Sequence, residues 1–171
     1  DVRERVKYNP DTAGGLMITE YLSYPLNAKV MDVLADLRSH VEEYSEVDVR
    51  YIYVVDTIEN ELLQGVVRLK DLVLTPGHVD LMSISLQDVS SVSDVAGLDD
   101  LEHFFDREDF SAVPVVDQQG ELLGTVLRSD VHEAVGERSD KKLMRFGGII
   151  TGEELRTMPT AVRAARRLMY L

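Results

Sequence analysis

The stretch that decides the fold is Ser111–Val131, SAVPVVDQQGELLGTVLRSDV. An apolar run follows its serine and ends at Val116, a polar turn occupies Asp117 to Gly120, and a second apolar run covers Leu122 to Leu127. Ser129 and Asp130 then open a helix-like segment. The order reads as strand, hairpin turn, strand, helix. Upstream, Tyr51–Leu72, YIYVVDTIENELLQGVVRLKDL, carries the same order. In both copies Val-Val-Asp precedes a loop, Glu-Leu-Leu follows, then a glycine, with an aspartate six positions after it. A doubled unit of this kind outranks any single motif as a signal.

Working outward, Leu16-Met17 returns as Leu81-Met82 after 65 residues, Asp56 as Asp117 after 61, and Asp71 as Asp130 after 59. The drift places extra loop residues in the first unit. Two copies are too few for a solenoid, so they should pair face to face and share a core. In the first unit, Ile18 to Tyr24 is β-rich up to Pro25. Asn27 is expected to cap a helix over Lys29–His40, with Val30, Val33, Leu34, Leu37 and Val41 inward. Arg50–Asp56 and Leu62–Leu69 read as strands, and Val54-Val55 and Val66-Val67 suit burial on both faces. A helix over Leu69–Leu74 stops before Thr75-Pro76-Gly77. In the second unit, Ile84–Val92 reads as extended. Ser93 is expected to cap a helix over Val95–Asp106, with Val95, Leu98, Leu101, Phe104 and Phe105 inward. Strands over Phe110–Val116 and Leu122–Leu127 and a helix from Asp130 to about Glu137 complete it.

The flanks differ in character. Asp1 to Tyr8 looks like the end of a preceding helix, and Asn9-Pro10-Asp11 is a turn that stops one. Thr12-Ala13-Gly14-Gly15 is either a tight loop against a neighbouring domain or a flexible linker. Ser139-Asp140-Lys141-Lys142 reads as a charged linker, and Gly147-Gly148 as a linker turn. In the tail, Arg163, Arg166 and Arg167 precede Leu168-Met169-Tyr170-Leu171, which fits the cytoplasmic flank of a membrane span. On composition alone, an ordinary amphipathic terminal helix is the preferred reading.

The chain has 171 residues, no cysteine and no tryptophan, and a formal net charge of −13. Such acidity argues against nucleic acid as a partner, because phosphate binding relies on basic patches. It allows either an ordinary acidic surface or one that collects divalent cations, which take carboxylate oxygens. Lack of cysteine excludes disulfides, thiolate metal sites and a cysteine nucleophile. No apolar run approaches the roughly 20 residues of a membrane helix, so this stretch is expected to be soluble on its own. The histidines (His40, His78, His103 and His132) are scattered without a nucleophile beside them, and no phosphate-cradling glycine loop is present. An enzyme is not expected.

The two units resemble a tandem pair of CBS domains, which are β-α-β-β-α modules. Their context resembles the MgtE-type magnesium transporters and channels. The similarity rests on Asp11-Thr12-Ala13-Gly14-Gly15-Leu16-Met17, Tyr51-Ile52-Tyr53-Val54-Val55-Asp56, Gly65-Val66-Val67-Arg68-Leu69-Lys70-Asp71-Leu72 and Pro114-Val115-Val116-Asp117, and it spans nearly the whole chain. The tail Arg163–Leu171 is similar to the family's connecting helix. The resemblance implies an α+β fold with one CBS domain over residues 16–78 and another over 79–138. Residues 1–15 would end a helical domain, and 139–171 would form a linker and a connecting helix leading to a membrane pore. The chain would then be a fragment of a longer protein, at the cytoplasmic face of the cell membrane.

The same resemblance implies a homodimeric gate in which Mg²⁺ bridges acidic faces and holds the pore closed, since facing carboxylates repel until a divalent cation joins them. Carried over by position, the metal candidates are Asp99, Asp109, Asp130 and Glu133, the last two on one predicted helix face. Arg138, Lys141 and Lys142 depart from the acidic character usual there. The alternative function is sensing of an adenine nucleotide, ATP or AMP. CBS pairs that bind nucleotides use Gly-x-x-Ser/Thr-x-x-Asp, but here the hydroxyl positions hold Arg68 and Leu127. Asp71 and Asp130 are retained, and Asp71 also suits a helix cap. Arg68 could meet phosphate through charge, with Tyr51 and Phe110 near the base, whereas Leu127 cannot replace a hydroxyl.

Overall fold

A computed structural model describes residues 8–47 and 49–146. The tail at 163–171, the Gly147-Gly148 turn and all but the end of the 1–8 segment lie outside them. Two three-stranded sheets share one topology. In the first, β1 (Leu22–Pro25) runs parallel to the central β2 (Tyr51–Val55), which pairs antiparallel with β3 (Leu63–Arg68). In the second, β4 (Val92–Ser93), β5 (Ala112–Val116) and β6 (Leu122–Leu127) repeat this arrangement. Both hairpins carry a register shift at the same place, Val54/Val55 and Val115/Val116. The helices are α1 (Ala13–Leu16), α2 (Val30–Ser39), α3 (Val41–Tyr44), α4 (Leu69–Leu74), α5 (Leu98–Arg107) and α6 (Arg128–Phe146).

Strand alternation builds two layers of core. On β2, Ile52 and Val54 face α2 and α4, joining Val30, Val33, Val67 and Leu72. Tyr53 and Val55 point the other way and pack with Val66 and with Leu122 of the second sheet. The second unit buries Leu98, Leu101, Phe104 and Phe105 of α5 together with Val113, Val115, Val126 and Val131. Strands wedged between helices and another sheet must be apolar at consecutive positions, which the Val-Val pairs are.

The units also exchange backbone bonds. Ile18 and Thr125 form a reciprocal N–H···O pair at 2.8 and 3.0 Å, and Leu86 and Val66 form another at 2.8 and 3.2 Å. Each unit's leading segment therefore extends the other's hairpin. Residues Thr12 to Ile18 belong to this exchange: Ala13 N–H donates to Ala96 O, and Gly14 N–H to Asp94 O. Of the two readings of the glycine pair, the structure thus takes the packed one. A Cβ on Gly14 would stand 2.3 Å from the Tyr8 ring.

Several expected boundaries shift. The N-cap of α2 is Lys29, whose N–H bonds the Asp32 carboxylate at 2.9 Å, so Asn27 is not the cap. α2 stops at Ser39, and Val41, expected inward, is 61 % exposed on α3. α5 starts at Leu98, after Gly97. Ser93 instead accepts from Val95 N–H in a turn, and Val95 is 72 % exposed. The extended stretch over Ile84–Val92 reduces to a 3₁₀ turn at Leu81–Ile84, the bridge at Leu86 and the two residues of β4. β4 pairs β5 only at Val115 and Val116, beyond Pro114, which has no N–H to give to a ladder. The expected linker at Ser139–Lys142 is helical, within α6.

Candidate functional site

Three residues singled out for nucleotide contact converge where the hairpin of the first unit meets the second. Tyr51 opposes Arg68 across β2 and β3, so both project from the end of that hairpin. Phe110 reaches them from the loop before β5. Its ring centroid lies 6.0 Å from that of Tyr51, edge to face, and the Arg68 guanidinium carbon lies 5.6 Å from the Phe110 centroid. The Tyr51 hydroxyl accepts from Ser111 N–H at 3.1 Å, with the Ser111 hydroxyl at 3.3 Å. A shallow cleft opens beside this group, walled by Tyr51, Phe110, Phe104, Pro114 and the lead-in residues Asp88 to Ser90. An aromatic wall under a solvent-facing guanidinium suits a flat ring carrying anionic groups.

Asp71 stands in the first turn of α4, half-buried, three residues after Arg68. It is not the cap: Arg68 holds the N-cap position, and no side-chain hydrogen bond closes that end. A carboxylate in the first helical turn is still favoured by the helix dipole.

The equivalent cleft of the other hairpin is lined by Glu20, Tyr21, Leu22, Arg50, Tyr51, Tyr53, Ala112, Thr125 and Leu127. Its hairpin end pairs Ala112 with Leu127, which offers neither a ring nor a cation. At its floor the Tyr53 hydroxyl meets Thr125 Oγ1 at 2.8 Å, both residues buried. Burial pushes the Tyr53 hydroxyl up to about 12, the Thr125 bond opposing that rise.

The metal candidates occupy the second unit. Asp99 is exposed in the first turn of α5, and Asp109 is exposed in the loop between α5 and β5. Asp130 is half-buried in the first turn of α6, with exposed Glu133 three residues on. Among the described residues, no three histidine or carboxylate side chains gather into a metal-holding group. The donor chemistry nonetheless fits Mg²⁺, which keeps several waters and takes one or two carboxylates at a time. No helix among the described residues is long and apolar enough to cross a membrane.

Two contributors were not anticipated. Ser111 anchors the Tyr51 hydroxyl, and Arg128 grips the loop that carries Asp109 and Phe110, its guanidinium donating to the carbonyls of Phe105, Glu108 and Phe110. Both act over distances of 18 residues or more, which local pattern does not disclose.

Comparison with known proteins agrees with this architecture. Residues 80–137 match the CBS domain family. The magnesium transporter MgtE of Thermus thermophilus is 30% identical over 149 residues, covering 87% of this chain and 32% of the relative. The chain thus spans about a third of that protein's length. The crystal structure of the cytosolic domain of the Mg²⁺ channel MgtE in complex with ATP is 32% identical with a TM-score of 0.69, over 76% of this chain and 51% of that one. The cystathionine beta-synthase pair domain of a Shewanella oneidensis protein shares the fold alone, at 23% identity and a TM-score of 0.65, over 77% of this chain and 74% of that one. Residues 80–137 are a CBS domain, the fold is that of a CBS pair, and the chain is a homologue of the cytosolic CBS region of MgtE magnesium transporters.

Proposed function

We propose that the chain is the cytoplasmic regulatory region of a magnesium transporter, working as a homodimer whose acidic faces are drawn together by Mg²⁺. The observation that carries this is the match to a magnesium transporter over 87% of the chain. Asp99, Asp109, Asp130 and Glu133 supply carboxylates to the face, and none of the four is fully buried. Apposed across two copies, such groups repel one another, and a divalent cation removes the repulsion while bridging them. Loss of the ion shifts the population towards separated faces, which opens the attached pore. Titrating the chain with Mg²⁺ while following dimerisation and protease resistance tests the proposal. Millimolar Mg²⁺ is expected to favour the dimer and slow cleavage, and Asp109→Asn with Asp130→Asn to weaken both effects. No change in either readout sinks it.

A second reading joins the first: the cleft beside Arg68 takes an adenine nucleotide. The convergence of Arg68, Tyr51 and Phe110 supports it, as does the ATP complex of a related cytosolic domain. Arg68 would hold phosphate by charge where a hydroxyl usually stands, and Asp71, three residues on in the first turn of α4, would meet the ribose. Calorimetry with ATP should show binding that Arg68→Ala weakens by about tenfold, or ~1.4 kcal/mol, while Leu127→Ala leaves it unchanged. Equal losses from both substitutions would assign the binding elsewhere.

A further inference from the structure

We propose that Arg128 is the positioning residue of the Arg68 cleft, fixing the loop at 108–111 so that the Phe110 ring stands ready for the ligand. The inference rests on the nucleotide reading. Arg128 Nε donates to Phe110 O at 2.9 Å, Nη1 to Phe105 O at 2.7 Å, and Nη2 to Glu108 O. Its guanidinium carbon lies 5.0 Å from the Phe105 ring centroid, and its own N–H bonds Ser111 O at 2.9 Å. Phe105 lies in the last turn of α5 and Glu108 is its C-cap. Unpaired carbonyls and the negative end of the helix dipole favour a cation at such an end. The same cation then reaches past the helix to the carbonyl of Phe110.

The loop is pinned from its other side by the Tyr51 hydroxyl, through Ser111 N–H and Oγ. Phe110 therefore has its backbone held on one flank by β2 and on the other by the start of α6. All three guanidinium nitrogens of Arg128 are engaged with backbone carbonyls, so it acts through Phe110 rather than on the ligand. A guanidinium suits the task because its planar fork serves three fixed acceptors at once, which an ammonium cannot do in the same geometry. A ring already held in its bound position spares the ligand the cost of ordering it.

The test is ATP affinity, measured by calorimetry on the 171-residue chain, for a double-mutant cycle of Arg128→Lys and Phe110→Leu. Arg128→Lys should weaken ATP by about tenfold in the wild-type background and hardly at all in the Phe110→Leu background. A role confined to general stability would give the same loss in both. Unchanged affinity in a folded Arg128→Lys protein, or equal losses in the two backgrounds, overturns the proposal alone. A wild-type chain that binds no ATP overturns the nucleotide reading and this proposal with it. Should Arg128→Lys not fold, Phe105→Leu removes the ring under the guanidinium but leaves the three carbonyls. It should cost about threefold in affinity by loosening the same grip, and no loss would count against the proposal.

Discussion

Set side by side, the two halves of the molecule agree in backbone and differ in side chains at the places where chemistry would occur. Both have a parallel pair, an antiparallel hairpin and a register shift after the same Val-Val-Asp valine. Both give a leading residue to the other's hairpin, Ile18 to Thr125 and Leu86 to Val66. At the equivalent hairpin ends, however, the first half pairs Tyr51 with Arg68 and the second pairs Ala112 with Leu127. Two clefts related by the duplication therefore hold unequal equipment. The duplicated backbone serves folding, whereas the hairpin ends differ: one cleft has Tyr51 and Arg68 at its hairpin end, and the other has Ala112 and Leu127 there, with Arg50 and Tyr21 coming from neighbouring segments.

The strongest test of this comparison asks whether the halves fold as one. The layer of Tyr53, Val55, Val66 and Leu122 belongs to both, so neither half retains a complete core alone. Leu72 and Leu101 are each fully buried in their own half. Leu72→Ala and Leu101→Ala should each cost about 2–5 kcal/mol and move a single shared unfolding transition. Tyr21, Tyr24, Tyr44, Tyr51 and Tyr53 all lie in the first half, while residues 79–138 contain no tyrosine. Tyrosine fluorescence thus reports on the first half and, through the bonds of Tyr51 to Ser111 and Tyr53 to Thr125, on its seam with the second. If Leu101→Ala leaves the tyrosine-detected midpoint in place while far-UV circular dichroism shifts, the halves are independent.

A smaller effect distinguishes the two crossing points. Gly124 and Gly65 occupy equivalent places beside the incoming segments. A Cβ on Gly124 would lie 2.7 Å from the backbone oxygen of Ile18, whereas one on Gly65 would first meet the Ser85 side chain at 2.9 Å. Ser85 Oγ can rotate away, leaving Ser85 Cβ at 3.0 Å and Leu86 O at 3.3 Å to give by a few tenths of an ångström, whereas the Ile18 carbonyl, engaged in the reciprocal Ile18–Thr125 pair, must move further. Gly124→Ala should cost about 1–3 kcal/mol and Gly65→Ala less, read from urea midpoints. The reverse order would mean that the Leu86 crossing, not the Ile18 one, is the rigid contact.

How far the sequence disclosed all this follows from the range of each interaction. The strand pairs and the closing of α4 were readable because alternation, turn chemistry and Thr75-Pro76-Gly77 act within a few residues. Helix starts were misplaced where two polar residues competed. Ser93 satisfies a turn N–H, so the cap moves to Gly97, and Lys29 with Asp32 displaces Asn27. β4 is short because of Pro114, which lies 21 residues beyond it in the chain. The meeting of Tyr51, Arg68 and Phe110 was expected from the resemblance alone, whereas the Ser111 and Arg128 anchors depend on how the loop at 108–111 folds over α5.

The finest difference between the clefts is at their floors. One has Tyr53 facing Thr125, and the equivalent pair in the other is Pro114 and Val66, with nothing to titrate. Tyr53→Phe should cost about 1 kcal/mol at neutral pH, the net worth of one buried hydrogen bond. Its sharper signature is alkaline. The hydroxyl titrates near 10 when unfolded and near 12 when folded, because burial disfavours the phenolate. Between those values the folded state holds the proton that the unfolded state has released. Stability is therefore unaffected by this group below pH 10 and falls as pH rises from 10 towards 12, by at most about 1.4 kcal/mol per pH unit. Subtracting the pH–stability curve of Tyr53→Phe from that of the wild type removes the common contribution of the remaining tyrosines. That difference should be flat to pH 10 and decline beyond it. A difference flat throughout would mean that water reaches the floor of this cleft, and the two floors would then differ in shape but not in dryness.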